Sequence, residues 1–543
     1  MLKNIAENWK SATLNFLFIL LFVQVFQFVF GMENSIVGVI FTIMMSASMV
    51  RDLTARPLKH LCIQSIIFIL MAIVACFVSN VHPILALPVN FFMIFIILYA
   101  FTYEYVDQLY FPYILSYLFL LFISPVAPVQ MPKRILGMIV GALSIILYQL
   151  VKGRKRIAQT ACDVLAGMCN SAIQYIEENI LPQPDALRKD LCKLSKIVHD
   201  RRKKTFCISD ASCAMIDTGR GLENLILLLS EQNKTDDTLS QQILMQLQNF
   251  HNYITNQTKT LTVPDEKKFE QFPDIFNCLT YIQGNLLKMN SPEARNTYKK
   301  TQISLFTRLK AVLNISSVRT TYALRVACLL ALATMLVQFL NLPHGKWLLF
   351  TIASVSLPYA DDIRGKAKKR LLATVIGGVT GVILYALIPS APIRTIIMML
   401  SGYLSFYFTD YAATFACSTV GALGGAVFLN SFGWGSVGEV LLIRFGYIMA
   451  GIIIAFLANC VLFPVKRKNA TRRLMEKYKN TTNLLTNLCQ CKNSDSQFYY
   501  TLVIHTHLQE EQLLRNADQL HWTGAKALLK QYRQAVRTAH RSA

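Results

Sequence analysis

The sequence predicts an all-α, polytopic membrane protein: two parallel repeats of six transmembrane helices, each followed by a cytoplasmic helical domain. Three observations predict it. Of the 543 residues, 53% are hydrophobic and only 16% are charged, against about 25% charged in ordinary soluble domains. Long apolar runs such as Ala323–Leu340 and Leu371–Ile388 carry apolar residues on every helical face, which a helix of about 18 residues needs only in lipid. The order of six apolar runs followed by a polar stretch then occurs twice.

Lys3 and Lys10 precede the first run, Ala12–Phe30. That run is too long for the apolar core of a signal peptide, and no small-residue cleavage site follows Phe30, so it reads as a retained span. Five more follow at Ile36–Val50, Leu61–Ser79, Ile84–Thr102, Leu109–Ser124 and Ile135–Val151. The basic stop Lys152, Arg154, Lys155 and Arg156 places the end of this first repeat, residues 1–152, in the cytoplasm. Six spans put the N-terminus on the same side. Residues 153–318 are polar, broken by Pro182, Pro184, Pro264, Pro273 and Pro292, with leucines and isoleucines at helical spacing around Leu222–Leu228 and Ile243–Phe250. They read as a cytoplasmic bundle of amphipathic helices. The second repeat, 319–465, holds Ala323–Leu340, Trp347–Pro358, Leu371–Ile388, Ile393–Phe408, Ala412–Leu429 and Val440–Phe463. A second basic stop from Lys466 to Arg473 opens the C-terminal cytoplasmic helical region, 466–543. Its basic amphipathic tail, Ala525–Arg541, either touches anionic lipid or solvates a helix face.

Residue matches support the duplication. Phe41-Thr42-Ile43 recurs as Phe350-Thr351-Ile352, Glu104-Tyr105 as Asp410-Tyr411, and Arg134 before Gly141 as Arg444 before Gly451. An even number of spans per half makes the repeats parallel and puts any shared pathway between them. The formal charge of +23 gathers at the ends of apolar runs. That distribution follows the positive-inside rule and argues against nucleic acid as a partner. The thirteen cysteines lie in apolar runs or in cytoplasmic stretches, where a disulfide framework is not expected. Neither Cys489-Gln-Cys491 nor His505-Thr-His507 has further ligands nearby, so no metal is expected. No phosphate-binding G-x-x-x-x-G-K-[ST] loop and no nucleophile–base arrangement stands out, so neither a cofactor nor an enzymatic activity is expected.

The second half carries VRTTYALRVACLLALA, LPHGKW, Pro358 and KRLLATVIGGVTG. These resemble the fusaric acid resistance-like (FUSC) family, which includes bacterial aromatic acid exporters and is similar in architecture to the plant aluminium-activated malate transporters. The matching features are Arg319 and Arg325, the turn His344, Gly345 and Trp347, then Pro358, Arg370 with Thr374 and Gly377, and Arg444 with Gly451. The match is specific over 318–465 and architectural over 1–151, where Met49 replaces the proline and Leu61 stands where Arg370 stands. The resemblance implies a bacterial inner-membrane protein that exports organic anions, aromatic carboxylates in particular.

Among the charges, Arg134 and Arg444 fall on the outer side, against the positive-inside trend. As a guanidinium pair about the pseudo-axis they would form an outer anion site or exit gate. Snorkelling to headgroups is the alternative. Arg370 is a candidate for the inner mouth or an ordinary member of the basic run Lys366–Arg370, and Arg325, a turn into its span, is open in the same way. Gly377, Gly378 and Gly381 read as close-packing positions. Proton coupling falls to Asp361 and Asp52 after the short second spans, or to Glu104 and Asp410 at inner span ends. The alternatives are ion pairing of Asp361 and Asp362 with Arg364 or Lys366, and a place beside the aromatic girdle for Glu104 and Asp410.

The function that follows is proton-coupled export of organic anions between the two repeats. An anion channel and a membrane-anchored scaffold are the alternatives. The partners are the anion and the bilayer; one chain supplies both halves, so a monomer suffices and a homodimer stays open.

Overall fold

The computed structural model describes residues 2–49, 57–102, 109–178, 182–204, 206–231, 237–299, 301, 304, 317–388, 390–408, 410–427, 434–461, 464–490 and 495–541. These are helical nearly throughout and form two compact units.

The first unit comprises residues 1–48, 61–145 and 315–467. Its helices are α1 (Leu2–Phe30), α2 (Ser35–Ser48), α3 (Pro57–Asn80), α4 (Pro83–Phe101), α5 (Tyr110–Phe122) and the start of α6 (Met131–Glu178). After the polar insertion come α12 (Ser317–Phe339), α13 (Lys346–Val355), α14 (Ile363–Leu387), α15 (Ala391–Leu404), α16 (Tyr411–Val427) and α17 (Trp434–Val461). Each expected span contains a helix among its described residues. Among the described residues 7 helices are long and apolar enough to cross a membrane, and the expected short second spans are among those that are not. The others are shorter, because an apolar run records what surrounds a segment and not where its backbone turns.

α13 shows the physical reason. Its 10 residues rise about 15 Å, half of a ~30 Å hydrocarbon core. Pro358 biases Leu357 away from helix, and Ser356 is already extended at φ −67, ψ 118. The carbonyls freed there must be satisfied within the protein. Tyr322 Oη donates to Ser356 O at 3.3 Å, and Arg325 Nη2 donates to Leu357 O at 2.8 Å, both from α12. At the other end of α13 the chain turns through Asn341 (φ 45) and His344 (φ 61). The His344 ring stacks on Trp347 with centroids 4.8 Å apart.

α4 packs on α12 and α5 on α13, joining first-half and second-half helices in one body. α14 lies against α16 and α17, and α13 against α17. The glycines act as close-packing positions. A Cβ at Gly377 would collide with the Ala416 backbone carbonyl of α16. One at Gly141 would enter the Phe41 ring of α2, and one at Gly451 would meet Thr351 and Leu348 of α13. In each half the sixth helix therefore leans on the short second one.

The second unit comprises 49–60, 146–314 and 468–543. It holds the C-terminal part of α6 and then α7 (Pro184–Arg201), α8 (Asp210–Glu231), α9 (Asp237–Ile254), α10 (Pro273–Asn290) and α11 (Pro292–Asn296). From the chain's end it takes α18 (Arg467–Gln490), α19 (Ser496–Gln519) and α20 (Ala525–Arg541). Two expectations change here. The polar regions 153–318 and 466–543, read as separate, form one unit, with α7 packed on α19 and α8 on α10. The boundary at 152–153 falls inside α6, a single helix of 48 residues. Leu222, Leu225, Ile243, Leu247 and Phe250, apolar at helical spacing, are fully buried. The tail helix α20 packs one face on this unit. It buries Ala525 and Leu529, pairs Arg533 with Glu510, and sets Lys526 2.7 Å from Asp185.

His505 and His507 lie inside this unit, and His507 Nδ1 is 2.7 Å from Ser195 Oγ. Burial, reinforced by nearby arginines, holds both imidazoles neutral, His505 down to about 3 and His507 well below its usual value of 6.5. Between about pH 3 and 6.5 the unfolded chain thus binds more protons than the folded one. The contribution is intact above pH 6.5 and is lost as pH falls through this window, at roughly 1.4 kcal/mol per pH unit for His505, with His507 adding in the same direction. Thermal melts of the full chain should show that slope, and a His505→Gln/His507→Gln variant should flatten it.

Candidate functional site

Six arginines of the membrane unit are buried: Arg134, Arg325, Arg370, Arg394, Arg444 and Arg467. A buried guanidinium left without partners is costly, so its oxygen partners reveal what it is for. Four of the six have them. Arg134 Nη2, on α6, donates to Ser124 Oγ at 2.8 Å, Glu33 O at 3.1 Å and Ser124 O at 3.2 Å. Arg325 holds the end of α13, as above. Arg394 donates to Tyr385 O at 2.9 Å and Ile388 O at 2.5 Å, closing the end of α14. Arg467 pairs with Asp362, and its own backbone N–H donates to Asp361 Oδ2 at 2.7 Å. These arginines tie helix ends and loops together.

Arg370 and Arg444 differ. They are 6% and 5% exposed, and Nε and Nη1 of both lack a hydrogen-bond partner among the described residues. Instead of oxygen, each faces a ring. Arg444 Cζ lies 4.9 Å from the Trp347 ring centroid and Arg370 Cζ 4.4 Å from that of Phe415. The charged group that Arg444 senses is Arg370 itself, a repulsion. Lys366, one turn before Arg370 on α14, adds a third cation. Its Nζ sits 5.8 Å from the Phe111 ring of α5 and 5.4 Å from the Tyr411 ring of α16. The Tyr411 hydroxyl lies beside Arg370 without a well-formed hydrogen bond. Helix geometry makes this arrangement: Lys366 and Arg370 share one face of α14, Tyr411 and Phe415 one face of α16, each pair at i,i+4. Gly377 lets those two helices meet at backbone distance. The outcome is a cationic, aromatic-walled cluster whose donors suit a carboxylate and whose rings suit an apolar or aromatic body.

The expected pairing of Arg134 with Arg444 does not describe their surroundings. The charged groups around Arg134 are Glu33 and Cys76, whereas Arg444 keeps company with Arg370. Of the carboxylates, Asp361 and Asp362 are engaged by Arg467, not by the expected Arg364 or Lys366. Asp410 pairs with Lys369 at 2.7 Å on an exposed surface and caps α16 through the Ala412 N–H at 2.8 Å. Asp52 and Glu104 lie outside the described residues. The sequence alone does not mark Trp347, Phe415 and Lys366 as site residues. The i,i+4 spacing of Lys366 with Arg370 was the signal available for one of them.

The fold and this cluster define a multi-pass α-helical membrane protein. Residues 331–458, from α12 to α17, match the family model described as "Fusaric acid resistance protein-like". The segment so matched contains Trp347, Lys366, Arg370, Phe415 and Arg444. The chain is also similar to the inner membrane protein YccS of Escherichia coli (strain K12), at 26% identity over 156 residues. The similarity covers 29% of this chain and 21% of that protein's length. No solved structure matches.

Proposed function

We propose that the protein is a transporter, not an enzyme, and moves organic anions, aromatic carboxylates by preference, out across the inner membrane. One observation carries this reading: two buried guanidinium groups whose Nε and Nη1 lack a hydrogen-bond partner among the described residues, each set against an aromatic ring. In this reading Arg370 and Arg444 bind the carboxylate, Trp347 and Phe415 orient them and contact the substrate, and Lys366 attracts the anion towards the cluster. On the same reading the polar unit and both termini lie in the cytoplasm, which the basic runs at the ends of the apolar segments support. The proton gradient supplies the driving force. Asp410, ion-paired with Lys369, is in this reading the carboxylate through which protonation is coupled to transport. One chain suffices for the pathway.

The test is flux of 4-hydroxybenzoate, benzoate and an aliphatic carboxylate in proteoliposomes, with and without an imposed proton gradient. The expected result is saturable flux that favours the aromatic acids and grows with the gradient. Absence of flux for every anion overturns the reading. Unitary currents without proton dependence replace the transporter by a channel at the same arginines. Trp347→Leu is expected to raise the apparent KM about 2- to 30-fold, as loss of one cation–π contact implies, with Trp347→Phe intermediate. An unchanged KM in Trp347→Leu removes the indole from the site.

A further inference from the structure

Lys366, Arg370 and Arg444 pose a charge problem that the transported acid alone does not solve. Arg370 and Arg444 are buried, and the charged group that Arg444 senses is Arg370. Lys366 is half-buried, and the carboxylate it senses, Asp362, is bonded to Arg467. The indole beside Arg444 belongs to an apolar core with Val420, Leu423, Val437 and Val440. On the other side the Phe415 ring faces Arg370. Aromatic faces offset only part of the cost of desolvating a guanidinium. Elsewhere in this unit the fold meets that cost with its own oxygens, as Ser124 does for Arg134 at 2.8 Å. Nε and Nη1 of Arg370 and Arg444 have no such partner among the described residues. The balance falls to an anion from outside the chain, including at times when no organic acid is bound.

The walls of the cluster select that anion. The rings of Trp347, Phe415, Phe111 and Tyr411 cannot replace the water shell of a strongly hydrated ion. Sulfate, phosphate and fluoride therefore lose most on entry, whereas chloride and bromide shed water more readily. Guanidinium is itself weakly hydrated compared with ammonium and suits such a partner. We infer that, between turnovers, the cluster holds a weakly hydrated monovalent inorganic anion, chloride being the abundant one, and that the organic anion enters by displacing it. This rests on the reading of the cluster as the transport site, to which it adds a resident counter-ion that competes with the cargo.

Melts of the purified full-length protein in about 100 mM sodium fluoride, chloride or bromide test the resident ion with no organic acid present. For a Kd of about 10 mM, chloride and bromide are expected to raise the Tm by about 2–4 °C over fluoride. General salt effects run in the opposite order, since the more strongly hydrated anion is the more excluded from protein surface and the more stabilising. The increment is expected to vanish in Arg444→Met. It should persist in Lys368→Gln, which removes an exposed cation from the same helix as Arg370. In proteoliposomes the apparent KM for 4-hydroxybenzoate is expected to rise about tenfold from fluoride to chloride medium, with the limiting rate unchanged.

A Tm highest in fluoride, or a chloride increment that survives in Arg444→Met, overturns the resident anion. An apparent KM indifferent to chloride in protein that does transport overturns it too, and leaves the transport reading standing. A chloride increment that is lost in Arg444→Met, with no flux of any organic acid, upholds the resident anion and overturns the transport reading instead.

Discussion

Arg444→Met is expected to abolish anion flux and, at the same time, to raise the melting temperature. The residue is buried with two N–H groups lacking a protein partner and with Arg370 as its charged neighbour. Replacing such a cation by an apolar side chain of similar length removes a desolvation cost and a repulsion, and about 1–4 kcal/mol of stabilisation is the expected scale. The anion loses the same group, a loss of about 30-fold or more in flux at low substrate. Arg325→Met makes the opposite comparison. It leaves the Leu357 carbonyl without its donor inside the membrane unit, so the melting temperature is expected to fall by the equivalent of about 1–3 kcal/mol. Flux retained in Arg444→Met, or a lower melting temperature in that variant, defeats the assignment. Arg444→Lys keeps the charge and loses the planar fork, and should recover only part of the flux.

Gly377→Ala is the second large effect. The added Cβ meets the Ala416 backbone carbonyl, not a side chain that can swing aside, so α14 and α16 must separate. The expected cost is about 3 kcal/mol, the upper end for overpacking. Because Arg370 rides on α14 and Phe415 on α16, the separation also opens their 4.4 Å contact, and flux should fall with stability. Gly365, on the same helix, faces open space. Gly365→Ala is expected to be neutral or stabilising by up to about 1 kcal/mol. Melting temperatures of the pair separate the two cases, and equal values would refute the close-approach account.

Much of the fold was legible because apolar composition and helical period act locally. The apolar runs hold helices over their described residues, and Gly377 sits at the close helix contact that its sequence context predicts. What depended on distant partners was not legible. Arg134 and Arg444 look alike in sequence, each seven residues before a glycine. Only the folded chain brings Ser124 and Glu33 to the first and Trp347 to the second. Asp362 finds its cation at Arg467, beyond four intervening helices, and not within its own loop. The polar regions looked like two domains because the residues that join them, such as Arg188 and Glu510, are separated by the whole second set of spans. The His-Gly-x-Trp turn was read as a family mark. In the fold it is also a mount, since His344 stacks on the same indole that carries Arg444.

The hydrogen bonds that α12 sends to the end of α13 have a consequence for biogenesis. Arg325 precedes Leu357 in the chain, and an unpaired arginine a third of the way into its span opposes insertion, by up to about 2.5–3.5 kcal/mol for one at the centre. Its acceptor lies 32 residues further along the chain. α12 should thus be released into lipid together with α13, as a preassembled hairpin, and not as a solitary helix.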